Sequence, residues 1–290
     1  MTPLERAVSL PCWTGKVTGA PLGGGITNLN FVVQDGARKA VVRIGDDIPL
    51  HPILRSNELA ASRAAALAGI SPAVLYHEPG ALVIDFVEGR TLAAKDFQDA
   101  GLRALAVTLI GRAHRTMPQF LRGPAQMFWA FHVIRDYAAT LREGSSRHLG
   151  LLPLLLANAE RLEAAIGPID LVYGHNDLLP ANFIHDGSRL WLIDWDYAGF
   201  NSPLFDLGGF AANTGLTEDQ EAEVLARYFG RDPDAALLRA YRAMKAAAAL
   251  REALWSMVSE VHSVLDFDYA AYTATNLATY RAAFQTFLHR

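Results

Sequence analysis

Over roughly the first 88 residues the apolar positions fall in short, β-branched runs, and beyond them they recur at helical spacing. Runs at 29–33, 40–44, 73–76 and 81–87 are bounded by Asp35-Gly36, Pro49, Pro72 and Pro79-Gly80, the punctuation of strands joined by turns. The stretch 54–68, rich in Ala, Leu and Arg and stopped by Gly69, predicts one helix among them. From Asp99 onward the pattern is helical, most clearly over 232–263 and 268–288. Three β-type runs interrupt it at 171–173, 182–185 and 190–193, the last two separated by Asp186-Gly187-Ser188 as a hairpin. The expectation is an α+β chain of two lobes. A small β-rich N-lobe, residues 1–88, would bind nucleotide, and a larger α-helical C-lobe, residues 89–290, would carry the chemistry beside the cleft between them.

Composition adds exclusions. The chain has 290 residues, 51% hydrophobic and 19% charged, enough apolar content for a substantial core and too much for a mainly disordered protein. A net charge of −4 provides no basic field for nucleic acid or for an anionic membrane. Cys12, the single cysteine, excludes an internal disulfide framework and a cysteine-clustered zinc site. The start, Met1 to Arg6, lacks the basic-then-apolar order of a secretory signal, and the alanine-rich stretch 243–254 is broken by Lys245, Arg251 and Glu252. A cytoplasmic protein is expected.

The sharpest chemical signal is His175-Asn176-Asp177, with Asn182 five residues after the aspartate. On a loop between β-runs this is the spacing of a phosphotransfer loop, in which the Asp accepts a hydroxyl proton and the Asn carbonyl meets Mg²⁺. The competing reading is a polar turn capped by Asp177. Twelve residues after Asn182, Asp194 ends an apolar strand in Ile193-Asp194-Trp195-Asp196-Tyr197, a second hard oxygen ligand for a divalent cation, or else a helix cap. Upstream, Gly23-Gly24-Gly25-Ile26-Thr27-Asn28 is either a phosphate-approaching loop or a tight hairpin, and is neither a Walker A loop nor a dinucleotide fingerprint. On the strand 39–44, Lys39, Val41 and Arg43 share one face. Lys39 reads as an exposed edge charge and Arg43 as paired with Glu58. Trp255, Phe267, Tyr269 and Tyr272, near Glu252, Glu260, Asp266 and Asp268, are either core or an ammonium cage. His114, His132, His148 and His262 have no metal-ligand spacing and take no role.

With these residues the chain resembles the choline/ethanolamine kinase family, within the aminoglycoside-phosphotransferase-like kinases. The likeness runs over about 22–280. Its motifs are Gly-Gly-Ile-Thr-Asn, Val-Val-Arg-Ile, His-Asn-Asp-x4-Asn, Ile-Asp-Trp-Asp-Tyr-Ala, Phe-Asp-Leu-Gly and Leu-Trp-Ser-Met-Val. The resemblance implies a bilobal, protein-kinase-like fold and transfer of phosphate from ATP, with Mg²⁺, to a small amino alcohol such as choline or ethanolamine. Other acceptors are thiamine, a sugar-like alcohol or an aminoglycoside, and a non-catalytic nucleotide-binding module is the reading from another class. It implies Asp177 as the base and Asn182 and Asp194 as metal ligands. On the nucleotide side it implies Thr27, Asn28, Arg43, Glu58 and the hinge Asp85, Phe86 and Val87. On the acceptor side it implies Tyr197, Trp255, Phe267 and Tyr272, with Asp196, Glu252 or Asp266 supplying charge. His175 and Asp206 would brace the catalytic loop. The chain departs from the family pattern at Asn213, where a glutamate is usual, and at Glu252, where a second tryptophan is usual.

Overall fold

The computed structural model describes residues 1–23, 28–263, 265 and 267–289. A short helix, α1 (Pro3–Val8), precedes a five-stranded antiparallel sheet of β1 (Val17–Leu22), β2 (Leu29–Asp35), β3 (Arg38–Ile44), β4 (Val74–Glu78) and β5 (Ala81–Asp85), in the order β1-β2-β3-β5-β4. Register follows from the turns. Gly36 at φ 60° and Gly80 at φ 74° sit in the tight connections between β2 and β3 and between β4 and β5, in a backbone region that glycine enters freely. On β3 the inward positions Ala40, Val42 and Ile44 join Phe31, Val33 and Val83 in a small core. Strand periodicity turns Arg43 to the opposite face, towards helix α2 (Arg55–Leu67).

Helix α2 buries Ala61, Ala64 and Ala65 in the same apolar cluster as the C-lobe helices, so it belongs by packing to both lobes. The C-lobe comprises α3 (Ala100–Thr116), α4 (Ala130–Glu143), α5 (Leu152–Ile166), α6 (Pro203–Thr214), α7 (Glu218–Phe229), α8 (Ala235–His262) and α9 (Tyr269–His289). The small strands β6 (Arg90–Thr91), β8 (Phe183–His185) and β9 (Leu190–Leu192) make one sheet, and β7 (Val172–Gly174) with β10 (Gly199–Asn201) another. Between the last strand of the first sheet and the first of the second lie only residues 86–89.

Helix α8 is the spine. Its alanines from Ala240 to Ala253 are small enough for neighbouring helices to approach, and a methyl group at Gly208 of α6 would stand 2.7 Å from the Lys245 Cα. That crossing sets Asp206 of α6 beside the part of α8 that carries Arg251 and Glu252. The α+β architecture and the long helices match the apolar pattern. Helix α1 and strands β1, β6 and β10 do not stand out in it, because β1 carries Gly19 and Pro21 and is largely exposed, and the others are at most six residues long.

Candidate active site

Strand β7 leads into the loop His175–Asn182, which is held from behind by one buried carboxylate. Asp206 accepts from the backbone N–H groups of His175 at 2.8 Å and Asn176 at 2.7 Å. The His114 Nε2 lies 2.8 Å from the same carboxylate, and the His114 Nδ1 lies 2.7 Å from the Tyr228 hydroxyl. Despite its burial Asp206 titrates below the ordinary carboxylate range, because the hydrogen bond and charge of His114 and the loop N–H groups favour its ionised form. Asn176 takes φ 64° and donates through its amide to the carbonyls of Tyr197 at 3.0 Å and Gly199 at 3.1 Å. That turn directs the next side chain, Asp177, into the cleft. His114, read from the sequence as without a role, is therefore part of the loop's support.

Asn182 and Asp194 are brought together by backbone pairing, since the Ile193 N–H donates to the Asn182 carbonyl at 3.0 Å. The imidazole of His175 reaches the Ile193 carbonyl at 2.9 Å and ties both segments to the loop that carries Asp177. The Asn182 amide nitrogen is committed to the Asp177 carbonyl at 2.9 Å, which leaves the amide oxygen to face a cation. Asp194 sits at φ 69° and is pushed up to about 7, first by burial and then by the neighbouring Asp196 charge. A divalent ion would relieve that repulsion, so the donor set fits Mg²⁺. Among the described residues no group of three His, Cys, Asp or Glu forms a metal cage. Mg²⁺ held by few protein oxygens, with phosphates and waters completing its shell, needs none.

On the sheet side of the cleft, Arg43 pairs with Glu58 in close contact, both buried. The same glutamate meets Arg55 at 3.0 Å, and Arg55 reaches Asp196 at 2.8 Å. Asn28 closes the network, donating to Asp196 at 2.9 Å and accepting from Arg55 at 2.5 Å. Asp196, expected at the acceptor, instead faces these N-lobe groups, held there by Arg55 and Asn28. Phe86 lies under the Lys39 ammonium at 4.0 Å, and Lys39 pairs with Glu88 at 2.9 Å, so this cation is fixed at the connection between the lobes. Asp85 ends β5 and is exposed, while Phe86 and Val87 are half-buried at the same connection. Thr27 and Asp266 lie outside the described residues.

The four aromatic residues expected at the acceptor do converge, but the cage is not open. The indole N–H of Trp255 donates to the Tyr197 hydroxyl at 2.7 Å, and the Trp255 ring is stacked by His51 at 4.8 Å. His51 belongs to the loop before α2 and bonds Ser259 of α8 at 3.1 Å. The Tyr197 face is covered by the Arg251 guanidinium at 4.2 Å. Tyr272 packs edge-on against Trp255 and donates to Glu252 at 2.8 Å, with Phe267 outermost at 42% exposure. Tyr197 and Trp255 are therefore nearly buried, each with one face already covered by a side chain of the protein. Glu252 also accepts from Arg251 at 2.8 Å, and the other charge of this group, Asp177, lies 3.8 Å from Arg251. Burial raises Asp177 well above the carboxylate range; Arg251 pulls it back, and Glu252, Asp194 and Asp196 add to the rise.

Arg55, His51 and Arg251 were not read as site residues in the sequence. Arg55 and Arg251 each carried a signal, one standing three residues before Glu58 and the other inside an alanine-rich run where a charge needs a reason. His51, in a loop without periodicity, carried none.

The match to known proteins fits this geometry. The family model described as the phosphotransferase enzyme family covers residues 18–250. The chain belongs to that phosphotransferase family. A LicA protein of Haemophilus influenzae is 28% identical over 210 residues, 71% of this chain and 61% of its own length, so the match spans less than two thirds of that relative. A probable ethanolamine kinase of Arabidopsis thaliana is 24% identical, with 87% of this chain and 75% of its own length covered. Among solved structures, a choline/ethanolamine kinase family protein from Mesorhizobium loti superposes with a TM-score of 0.75 at 28% identity, over 97% of this phosphotransferase and 92% of that chain. A spectinomycin phosphotransferase shares the fold at 13% identity and TM-score 0.60, covering 94% and 95%. The resemblance to choline and ethanolamine kinases read from the motifs is thus matched by both sequence and structure.

Proposed function

We propose that this phosphotransferase moves the γ-phosphoryl group of ATP to the hydroxyl of a small amino alcohol, with Mg²⁺ as cofactor. The observation that carries the reading is the convergence of Asp177, Asn182 and Asp194 at one end of the cleft, with the buried Arg43–Glu58 pair opposite. The lobes divide the work near residue 88, nucleotide on the sheet side and acceptor on the helical side. Asn182 and Asp194 would hold the metal, which supplies positive charge to the phosphates as charge shifts to the leaving oxygen.

Asp177 accepts the acceptor's hydroxyl proton as that oxygen bonds phosphorus and the bond to the ADP oxygen breaks. Burial raises its affinity for protons above that of an ordinary carboxylate, which favours taking up the hydroxyl proton. Arg43, oriented by Glu58, meets the phosphates from the sheet side, and Asp206 keeps the loop in register. Glu252 offers a carboxylate to the acceptor's ammonium, and the relatives named ethanolamine kinase support an amino alcohol as the acceptor class. No helix among the described residues is long and apolar enough to cross a membrane, and a cytoplasmic location, where ATP is abundant, fits the reading.

The test is ADP release by purified protein with Mg·ATP and, separately, ethanolamine, choline, thiamine and kanamycin. Acceptor-dependent release with an amino alcohol supports the reading; Mg·ATP binding without turnover of any alcohol moves it to a non-catalytic nucleotide-binding module.

A further inference from the structure

Beside the base lies a set of buried polar atoms with nothing to bond. Arg251 is 3% exposed, yet its Nε and Nη2 have no hydrogen-bond partner among the described residues. The Tyr137 hydroxyl and the His51 Nδ1, also in buried residues, have none either. These groups are neighbours: the rings of His51 and Tyr137 stand 5.8 Å apart, and the Arg251 charge acts on both. Native proteins pair almost all such atoms, because an unmade bond to a buried charged donor costs more than an ordinary one.

The identity of the free atoms matters. Nη1 is the nitrogen spent on Glu252 at 2.8 Å and lies nearest to Asp177 at 3.8 Å. Nε and Nη2 are the two that form the side-on edge of a guanidinium, whose parallel N–H groups match the two oxygens of a carboxylate. Stacking on Tyr197 at 4.2 Å and Phe128 at 5.4 Å engages the guanidinium's faces and leaves its in-plane donors unmet. The residue also lines a cavity of about 40 Å³ together with Asp177, Asn213, Glu252 and Asn276. A plain alkylammonium offers no acceptor oxygen to these donors, and a trimethylammonium head offers no hydrogen bond of any kind.

We propose that the acceptor is an amino alcohol that also carries a carboxylate, a hydroxylated amino acid, with the Nε–Nη2 edge of Arg251 as the receptor for that carboxylate. The inference rests on the kinase reading above and narrows its substrate class. Glu252 takes the ammonium, Arg251 the carboxylate and Asp177 the hydroxyl, so all three functional groups of the acceptor meet a partner of matching chemistry. Asn213 and Glu252, the two departures from the choline/ethanolamine kinase pattern, both line this cavity.

The experiment compares acceptors that differ only by the carboxylate: L-serine against ethanolamine, and L-homoserine against 3-aminopropan-1-ol, each with Mg·ATP and the full chain. At least one hydroxy amino acid should show a kcat/KM tenfold or more above its decarboxylated partner, the range of a charge-assisted bidentate contact. Arg251→Lys, which keeps the charge and loses the fork, should lower that value at least tenfold more than it lowers the value for the decarboxylated partner. Preference for ethanolamine or 3-aminopropan-1-ol overturns the inference and leaves the kinase reading standing. An equal loss on both members of a pair also overturns it, because the edge would then serve the transferred phosphoryl group. No ADP release with any of the four or with choline overturns both. The wild-type comparison decides the matter even where Arg251→Lys fails to fold.

Discussion

The guanidinium of Arg55 stands between two buried carboxylates, 3.0 Å from Glu58 and 2.8 Å from Asp196. It therefore joins the helix of the small lobe to the segment that carries Asp194 and Asp196. Removing it leaves two negative charges desolvated against each other with only Arg43 nearby. Arg55→Met should lower stability by about 3–5 kcal/mol, the range for breaking a buried pair on one side. Urea unfolding measures it, and a loss under about 1 kcal/mol would mean that Arg43 and Asn28 suffice.

Asp177 and Asp194 should separate by phenotype. Asp177→Ala is expected to reduce turnover by ~10²–10⁴-fold with nucleotide affinity nearly kept, because the base touches only the acceptor hydroxyl. Asp194→Asn should weaken Mg²⁺-dependent nucleotide binding and turnover together, as one charge leaves the cation site. Calorimetry of Mg·ATP binding alongside ADP release distinguishes the two. A wild-type Mg²⁺ dependence in Asp194→Asn would place the metal elsewhere.

His51 makes stability depend on pH. Burial, then the charges of Arg251 and His262, pull its imidazole from 6.5 down to about 3. The folded protein keeps it neutral while the unfolded chain takes a proton below 6.5, so stability falls as pH drops through that window. Between pH 7 and pH 5 the wild type should lose about 2 kcal/mol more than His51→Gln. Urea midpoints at the two pH values check it, and identical slopes would show that the imidazole is solvated.

Trp255 tests the aromatic cluster. With His51 on one face and its N–H spent on Tyr197, it should behave as core. Trp255→Ala is expected to cost about 3–5 kcal/mol. Trp255→Phe should leave the acceptor KM within about threefold of wild type. A thirtyfold rise in that KM with unchanged stability would show that the ring contacts the acceptor after all.

Much of the molecule can be read from the chain because its signals are local. The strand runs around Val42 and Val83, the long α8 and α9, and the Asp177–Asn182 spacing each lie within a few residues, where period and turn chemistry act. Bonds between distant segments cannot be read that way. His51 meets Ser259 across 208 positions and Arg55 meets Asp196 across 141, and nothing near either residue announces its partner. The aromatic cluster shows the same limit from the other side: the rings were identifiable, while the side chains covering their faces arrive from other elements.

Asn176 and Asp194 both hold a left-handed backbone, at φ 64° and φ 69°, where glycine would rest more easily. Such a conformation costs of order 1 kcal/mol per residue. Each position instead bears a working side chain: Asn176 ties the loop to the Tyr197 and Gly199 carbonyls, and Asp194 sets a buried carboxylate beside Asp196. Glycine at either position would relax the backbone and remove that side chain, so on the kinase reading local strain is exchanged for chemistry.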